Sequence, residues 1–226
     1  MKNIVNTNIL IIDDHPLNVD AYINLISNNL KEKEIEFIIA ASSNEAVKKI
    51  TNFKLCEKEI HYAFVDYNIP EDFYRKILNG VDLTHFIKNN FPNCKIIFIT
   101  MHNEPTIIGS ILNACNPEGL ISKTDVSFKI FKEIIETIFN ENQFYRSKSI
   151  LEAENTLFKN NLNWDEYDYQ ILELISKGEK TNSLPNFVPL SLSAIEKRKS
   201  MIKKQLLLQG GNDKDIIVEA KKRGLI

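Results

Sequence analysis

The stretch Asn8-Ile9-Leu10-Ile11-Ile12-Asp13-Asp14 decides the fold: an apolar run with no polar alternation ends abruptly on two acids. Three later stretches repeat the pattern. His61-Tyr62-Ala63-Phe64-Val65 runs into Asp66, Lys95-Ile96-Ile97-Phe98-Ile99 into Thr100, and Gly119-Leu120-Ile121-Ser122 into Lys123. Runs apolar throughout suit strands covered on both faces, as in a parallel sheet. The carboxyl ends of parallel strands share one edge, where ligands bind. Three acids, a hydroxyl and an amine therefore converge on one place.

Outward from these runs, strands are expected near 8–13, 35–40, 62–66, 95–100 and 119–122. Helices are expected near 16–29, 44–54, 81–90, 104–114 and 127–140. Pro16 suits a first helical position, Ser43 looks like an N-cap, and Phe91-Pro92-Asn93 closes the third helix. Five β/α repeats predict a flavodoxin-like, doubly wound, five-stranded parallel sheet. Residues 70–80 form a longer connection than the usual βα loop of about 2–6 residues. It reads as a surface insertion beside the acidic edge.

The 226 residues allow two modest domains. Residues 1–140 hold 14 Lys and Arg against 18 Asp and Glu, whereas residues 164–226 hold 11 against 9. Within Ser193–Lys204 five basic residues face one acid. Different partners are expected for the two halves. Cys56, Cys94 and Cys115 form no C-x-x-C or C-x-x-H pair, which argues against a disulfide frame or a zinc site. The first apolar run is too short for a signal-peptide core or a bilayer span, so a cytoplasmic protein is expected.

Residues 141–163 are polar and read as a linker with some helical content. From Trp164 a new pattern begins. Asp165 and Asp168 suggest a capping box, Ile171, Leu172, Leu174 and Ile175 an apolar face, and Gly178 a C-cap. Ser191 or Ser193 then caps a helix with apolar Ile195, Ile202 and Leu206, broken by Gly210-Gly211 and followed by an amphipathic helix at Asp215–Arg223. The domains expected are 1–140, a linker 141–163, and a small all-α domain 164–226.

The acidic edge has a specific chemistry. Crowded carboxylates repel, and a magnesium ion, which prefers oxygen ligands, relieves that repulsion. Asp66 is then placed to attack an activated phosphoryl group, with Lys123 and Thr100 on the product oxygens. Asp13-Asp14, Asp66-Tyr67-Asn68-Ile69-Pro70, Thr100-Met101-His102 and Ile121-Ser122-Lys123 together resemble a bacterial response regulator receiver domain over about residues 5–140. The resemblance implies Asp66 as phosphoacceptor and Asp14, Asp66 and the Asn68 backbone carbonyl as Mg2+ ligands. Asp13 would act through water or through Lys123, and the donor would be a phosphohistidine on a sensor histidine kinase. Leu120 departs from the aromatic residue usual three positions before the lysine. Met101 is larger than the small residue common after the threonine.

Trp164–Ile226 resembles the LuxR-type helix-turn-helix output of the NarL/FixJ class, through Trp164-Asp165, Ile171 to Gly178, Leu190-Ser191, Ala194-Ile195, Ile202, Leu206, and Ala220 with Arg223-Gly224-Leu225-Ile226. Independently, the basic helix after a turn suits a major groove. Lys197, Arg198, Lys199, Ser200, Lys203 and Lys204 are its candidate DNA contacts. Glu196, at a position often basic in that family, either reads a cytosine amine or avoids DNA. Pro185 falls inside the expected first helix of the motif, which is then shortened or begins there.

The expectation is a phosphorylation-switched transcriptional regulator that binds promoter DNA as a homodimer. A helical output that binds a protein partner is the alternative. An independent magnesium phosphatase is a third reading, opposed by Asn68, which stands two residues after Asp66 where a general acid is needed.

Overall fold

The computed structural model describes residues 7–30, 34–207 and 210–226. The chain forms two compact units, Met1–Glu154 and Asn155–Ile226.

In the first unit the chain alternates β1 (Thr7–Ile12), α1 (Pro16–Asn29), β2 (Ile35–Ala40), α2 (Ser43–Leu55), β3 (Tyr62–Asp66), α3 (Gly80–Asn90), β4 (Lys95–Thr100), α4 (Pro105–Cys115), β5 (Gly119–Ser122) and α5 (Phe128–Ile134). A π-helical turn over Ile135–Asn140 prolongs α5. The strands pair in parallel in the order β2-β1-β3-β4-β5. Successive strand residues go to opposite faces, which explains the absence of polar alternation. Leu10, Ile12, Ala63, Val65, Ile96 and Phe98 pack with α2, α3 and α4. Ile9, Ile11, Phe64, Ile97 and Ile99 pack with α1 and α5.

The sheet is larger than the sequence suggested. Tyr145–Arg146 form a sixth strand, β6, parallel to β5. Helix α6 (Lys148–Asn161) follows, and its Ile150 and Ala153 enter the core of the first unit. The expected linker over 141–163 is therefore corrected. The two buried residues of α6, three apart, anchor its start, and the boundary between units falls inside that helix. The expected N-cap at Ser43 also shifts. The Ser42 hydroxyl accepts from the Glu45 amide at 3.3 Å, while Ser43 is the first helical residue and fully buried.

The 70–80 connection is an ordered turn. Asp72 and Ile77 exchange backbone hydrogen bonds of 2.8 and 3.0 Å, and Arg75 pairs with the buried Asp72 carboxylate at 2.6 Å. Ile69 and Ile77 anchor it in the core, leaving Phe73 and Tyr74 exposed at its tip. Gly80 closes it because a Cβ there would collide with the Asp66 carbonyl oxygen.

The second unit contains α7 (Glu166–Ser176), a 3-10 turn (Thr181–Asn186), α8 (Leu192–Leu206) and α9 (Asp213–Lys222). Asp165 and Asp168 form the expected capping box, and Gly178 lies past the end of α7 at φ +89°. Pro185 sits within the 3-10 turn, so the first helix of the motif is reduced to a short turn, as a residue without an N–H requires. Ser191, rather than Ser193, caps α8. That helix ends at Leu206, with Leu207 already extended, so it stops before Gly210-Gly211. Helix α9 starts two residues earlier than expected, because Asn212 and Asp215 form a second capping box.

Candidate functional site

The carboxyl ends of β1, β3, β4 and β5 bring the predicted groups together. Lys123 Nζ lies 2.6 Å from Asp66 Oδ2 and 2.9 Å from Asp13 Oδ2. Asp13 and Asp66 are buried, whereas Asp14 opens to solvent. The Asn18 amide donates to Asp13 at 3.1 Å, and the Asn68 backbone N–H lies 3.4 Å from Asp66 Oδ1. Burial pushes the Asp66 carboxyl above its ordinary range despite the hydrogen bond from Lys123. Burial also works against the Lys123 ammonium, but its hydrogen bonds to Asp66 and Asp13 raise its pKa overall.

Thr100 is fully buried at the end of β4. Its hydroxyl oxygen accepts from the His102 backbone N–H at 3.1 Å, which leaves its own O–H available as a donor. His102 reaches the Asn68 side chain at 3.2 Å and Glu104 at 3.1 Å, and lies edge-on to Tyr67. Leu120 is fully buried within the core, so no aromatic side chain stands at that position to change rotamer. Met101 is exposed at the rim.

One member of the cluster escaped sequence reasoning. His15 Nδ1 lies 2.7 Å from Asp14 Oδ1 and 3.2 Å from Asp13 Oδ1. One ligand atom each from Asp13, Asp14, His15 and Asp66 falls within 4.8 Å of the others. The available signal was its place directly after the acid pair. Lys123 holds only one Asp66 oxygen, so the other, with Asp13 and Asp14, leaves a hard-oxygen set that fits a small divalent cation.

On the second unit, the candidate DNA contacts separate by their place on α8. Arg198 and Lys199 flank the buried stripe of Ile195, Ile202 and Leu206. Arg198 pairs with Asp165 at 2.8 Å and with the buried Asp168 at 2.9 Å. Lys199 pairs with Asp213 at 2.6 Å and donates to Thr181 at 2.8 Å. Both side chains tie α8 to its neighbours. Glu196, Lys197, Ser200 and Lys204 are exposed and Lys203 is half-buried.

A doubly wound parallel sheet whose carboxyl edge gathers acids, a hydroxyl and a lysine defines a receiver-type α/β domain. Residues 9–141 match the response regulator receiver domain, and the chain belongs to that family. The transcriptional regulatory protein RcsB of Salmonella typhi is 31% identical over 118 residues, 52% of this chain and 50% of that protein. RcsB of Escherichia coli is 30% identical over the same length. The match thus spans about half the length of these relatives. Among solved structures, Salmonella typhimurium RcsB superposes with a TM-score of 0.55 at 19% identity, covering 96% of this chain and 98% of that one. RcsB of Salmonella enterica serovar Typhimurium bound to a promoter with the phosphomimetic BeF3− gives 0.54 at 21%, with the same coverage. These likenesses show a shared fold. Among the described residues no helix is long and apolar enough to cross a membrane.

Proposed function

We propose that the chain is a phosphorylation-switched transcriptional regulator of the cytoplasm. The observation that carries this reading is the Lys123 ammonium bridging two buried carboxylates, Asp13 and Asp66, at the acidic edge. Asp66 accepts a phosphoryl group from a phosphohistidine of a sensor histidine kinase: a carboxylate oxygen bonds phosphorus as the P–N bond breaks and the imidazole leaves. Asp14, Asp66 and the Asn68 carbonyl would hold Mg2+, with Asp13 supporting the site, and the ion would supply charge neutralisation. Lys123 stays with the acyl phosphate, and the Thr100 hydroxyl donates to a phosphoryl oxygen. Asn68, two residues beyond Asp66, offers no general acid, which supports a switch rather than a phosphatase.

With Leu120 locked in the core, switching runs through the Thr100-Met101-His102 segment and the surface that follows it. The relatives named as transcriptional regulators, and the promoter-bound RcsB structure, support promoter DNA as the partner of the second unit; a homodimer is the active form, because a two-fold pair of modules matches paired half-sites. The test is binding to a pool of genomic fragments with and without Mg2+ plus a small phosphodonor. Asp66→Asn should lose the phosphorylation-induced gain. An Asp66→Asn protein that binds and activates like phosphorylated wild type would refute the reading.

A second reading, an output that grips a protein, is favoured by one observation: Arg198 and Lys199 are already engaged within their own unit. Affinity for DNA that is insensitive to salt would favour it.

A further inference from the structure

On α8 each residue advances the side-chain direction by about 100°. The buried positions Ile195, Ile202 and Leu206 fix the inward side. Arg198 and Lys199 fall on its two margins and are held there by Asp165, Asp168 and Asp213. Ser193, Lys197, Ser200 and Lys204 fall on the outward side, with Glu196 and Lys203 on its flank next to Lys199. Glu196 is the only acid among these six. Its side chain is exposed and makes no ion pair or hydrogen bond with a described residue. Arg198 is therefore not its counter-charge, although both lie on the same turn.

A glutamate on the flank of a lysine-bearing face, beside Lys199, Lys203 and Ser200, is out of keeping with a surface that only neutralises a polyanion. It opposes phosphate binding and contributes nothing to the packing of the helix. A carboxylate is acceptor-only, so inside a groove it needs a donor. The helix places it well for one. A recognition helix presents its N-terminal residues to base edges, and Glu196 is the fifth residue of α8, with Ser193 and Ser200 one turn to either side. Lys203 and Lys204 lie in the last turn, placed for phosphates.

The major groove offers two amine donors, cytosine N4 and adenine N6. The adenine amine lies between two acceptors, its own N7 and the thymine O4, which repel a carboxylate. The cytosine amine has an acceptor on one side only, the guanine O6, and a C–H on the other. Resting on the transcription-factor reading above, we propose that Glu196 is a specificity-determining residue that selects a C·G pair in each half-site by accepting a hydrogen bond from cytosine N4.

The test is selection from a random double-stranded DNA library by the full-length protein, charged with Mg2+ and a small phosphodonor, comparing wild type, Glu196→Gln and Glu196→Ala. Wild type should enrich a motif with one cytosine column preferred about tenfold or more. Glu196→Gln should move that column toward adenine, because an amide pairs with adenine N6 and N7. Glu196→Ala should flatten it and leave the other columns in place. The same cytosine preference in all three proteins, or a wild-type motif without such a column, overturns the assignment while keeping the regulator reading. No enriched motif from any of the three overturns the regulator reading and this assignment together.

Discussion

Asp165 performs two tasks with one carboxylate. It caps α7 through the Tyr167 and Asp168 amides and pairs with Arg198. The Arg198 hydrogen bond is the main reason its carboxyl lies below the ordinary aspartate range. A lowered folded pKa stabilises the folded state above the unfolded value, and that contribution disappears as pH falls through the folded value. With an ordinary aspartate near ~3.9, the contribution is complete above about pH 5 and fades below ~3.9. Asp165→Asn keeps a competent cap but removes the charge. Wild type should therefore melt above Asp165→Asn at pH 6, and the gap should close as pH falls through the lowered value of the folded Asp165 carboxyl. Trp164, the only tryptophan of the chain and the neighbour of Asp165, reports the melting of this unit by fluorescence. A gap independent of pH would mean that the ion pair contributes nothing.

At the scale of elements, α6 begins on a cap supplied from the loop after Lys123. Asp125 accepts from the Ser149 amide and hydroxyl, each at 2.8 Å, and the Ser122 amide donates to the Ser147 hydroxyl at 3.0 Å. Asp125→Ala should destabilise the first unit by about 1 kcal/mol, the usual value of a lost cap. Hydrogen exchange at the start of α6 should rise accordingly, whereas Asp66 should still take phosphate from a small donor. Unchanged exchange at Ser149–Leu151 would show that the cap is idle.

The same elements separate what was legible from what was not. The strands ending at Asp66, Thr100 and Ser122 were readable because each is a dense apolar run stopped by a polar group. β6 was hidden: two residues, Tyr145 and Arg146, carry no period, and their pairing comes from the exposed edge of β5. α6 was half hidden because only Ile150 and Ala153 are fully buried, and the apolar positions Ile150, Ala153, Leu157 and Phe158 are spaced thinly among polar residues. In the acidic site the acids, Thr100 and Lys123 were legible from order and position alone. His15 was not, because nothing local says which way an imidazole turns. The roles of Arg198 and Lys199 were illegible for a different reason. A run of basic residues shows charge, but only the packed helices show that Asp165, Asp168 and Asp213 have taken two of those charges.

For the whole molecule, this partition of charge has a measurable consequence. Binding to DNA releases counterions, and the logarithm of affinity falls with the logarithm of salt by about 0.9 for each neutralised phosphate. If two copies bind paired half-sites, α8 presents Lys197, Lys203 and Lys204 twice. The variant in which all three become glutamine should lose about five units of slope relative to wild type. The loss should be similar on selected and unselected fragments, because phosphate contacts carry little sequence information. Asp66 phosphorylation should double the mass seen by analytical ultracentrifugation and raise affinity without steepening the slope per bound copy. A loss of only half that size, in phosphorylated protein, would mean that a single copy engages DNA and that dimerisation is not what phosphorylation controls.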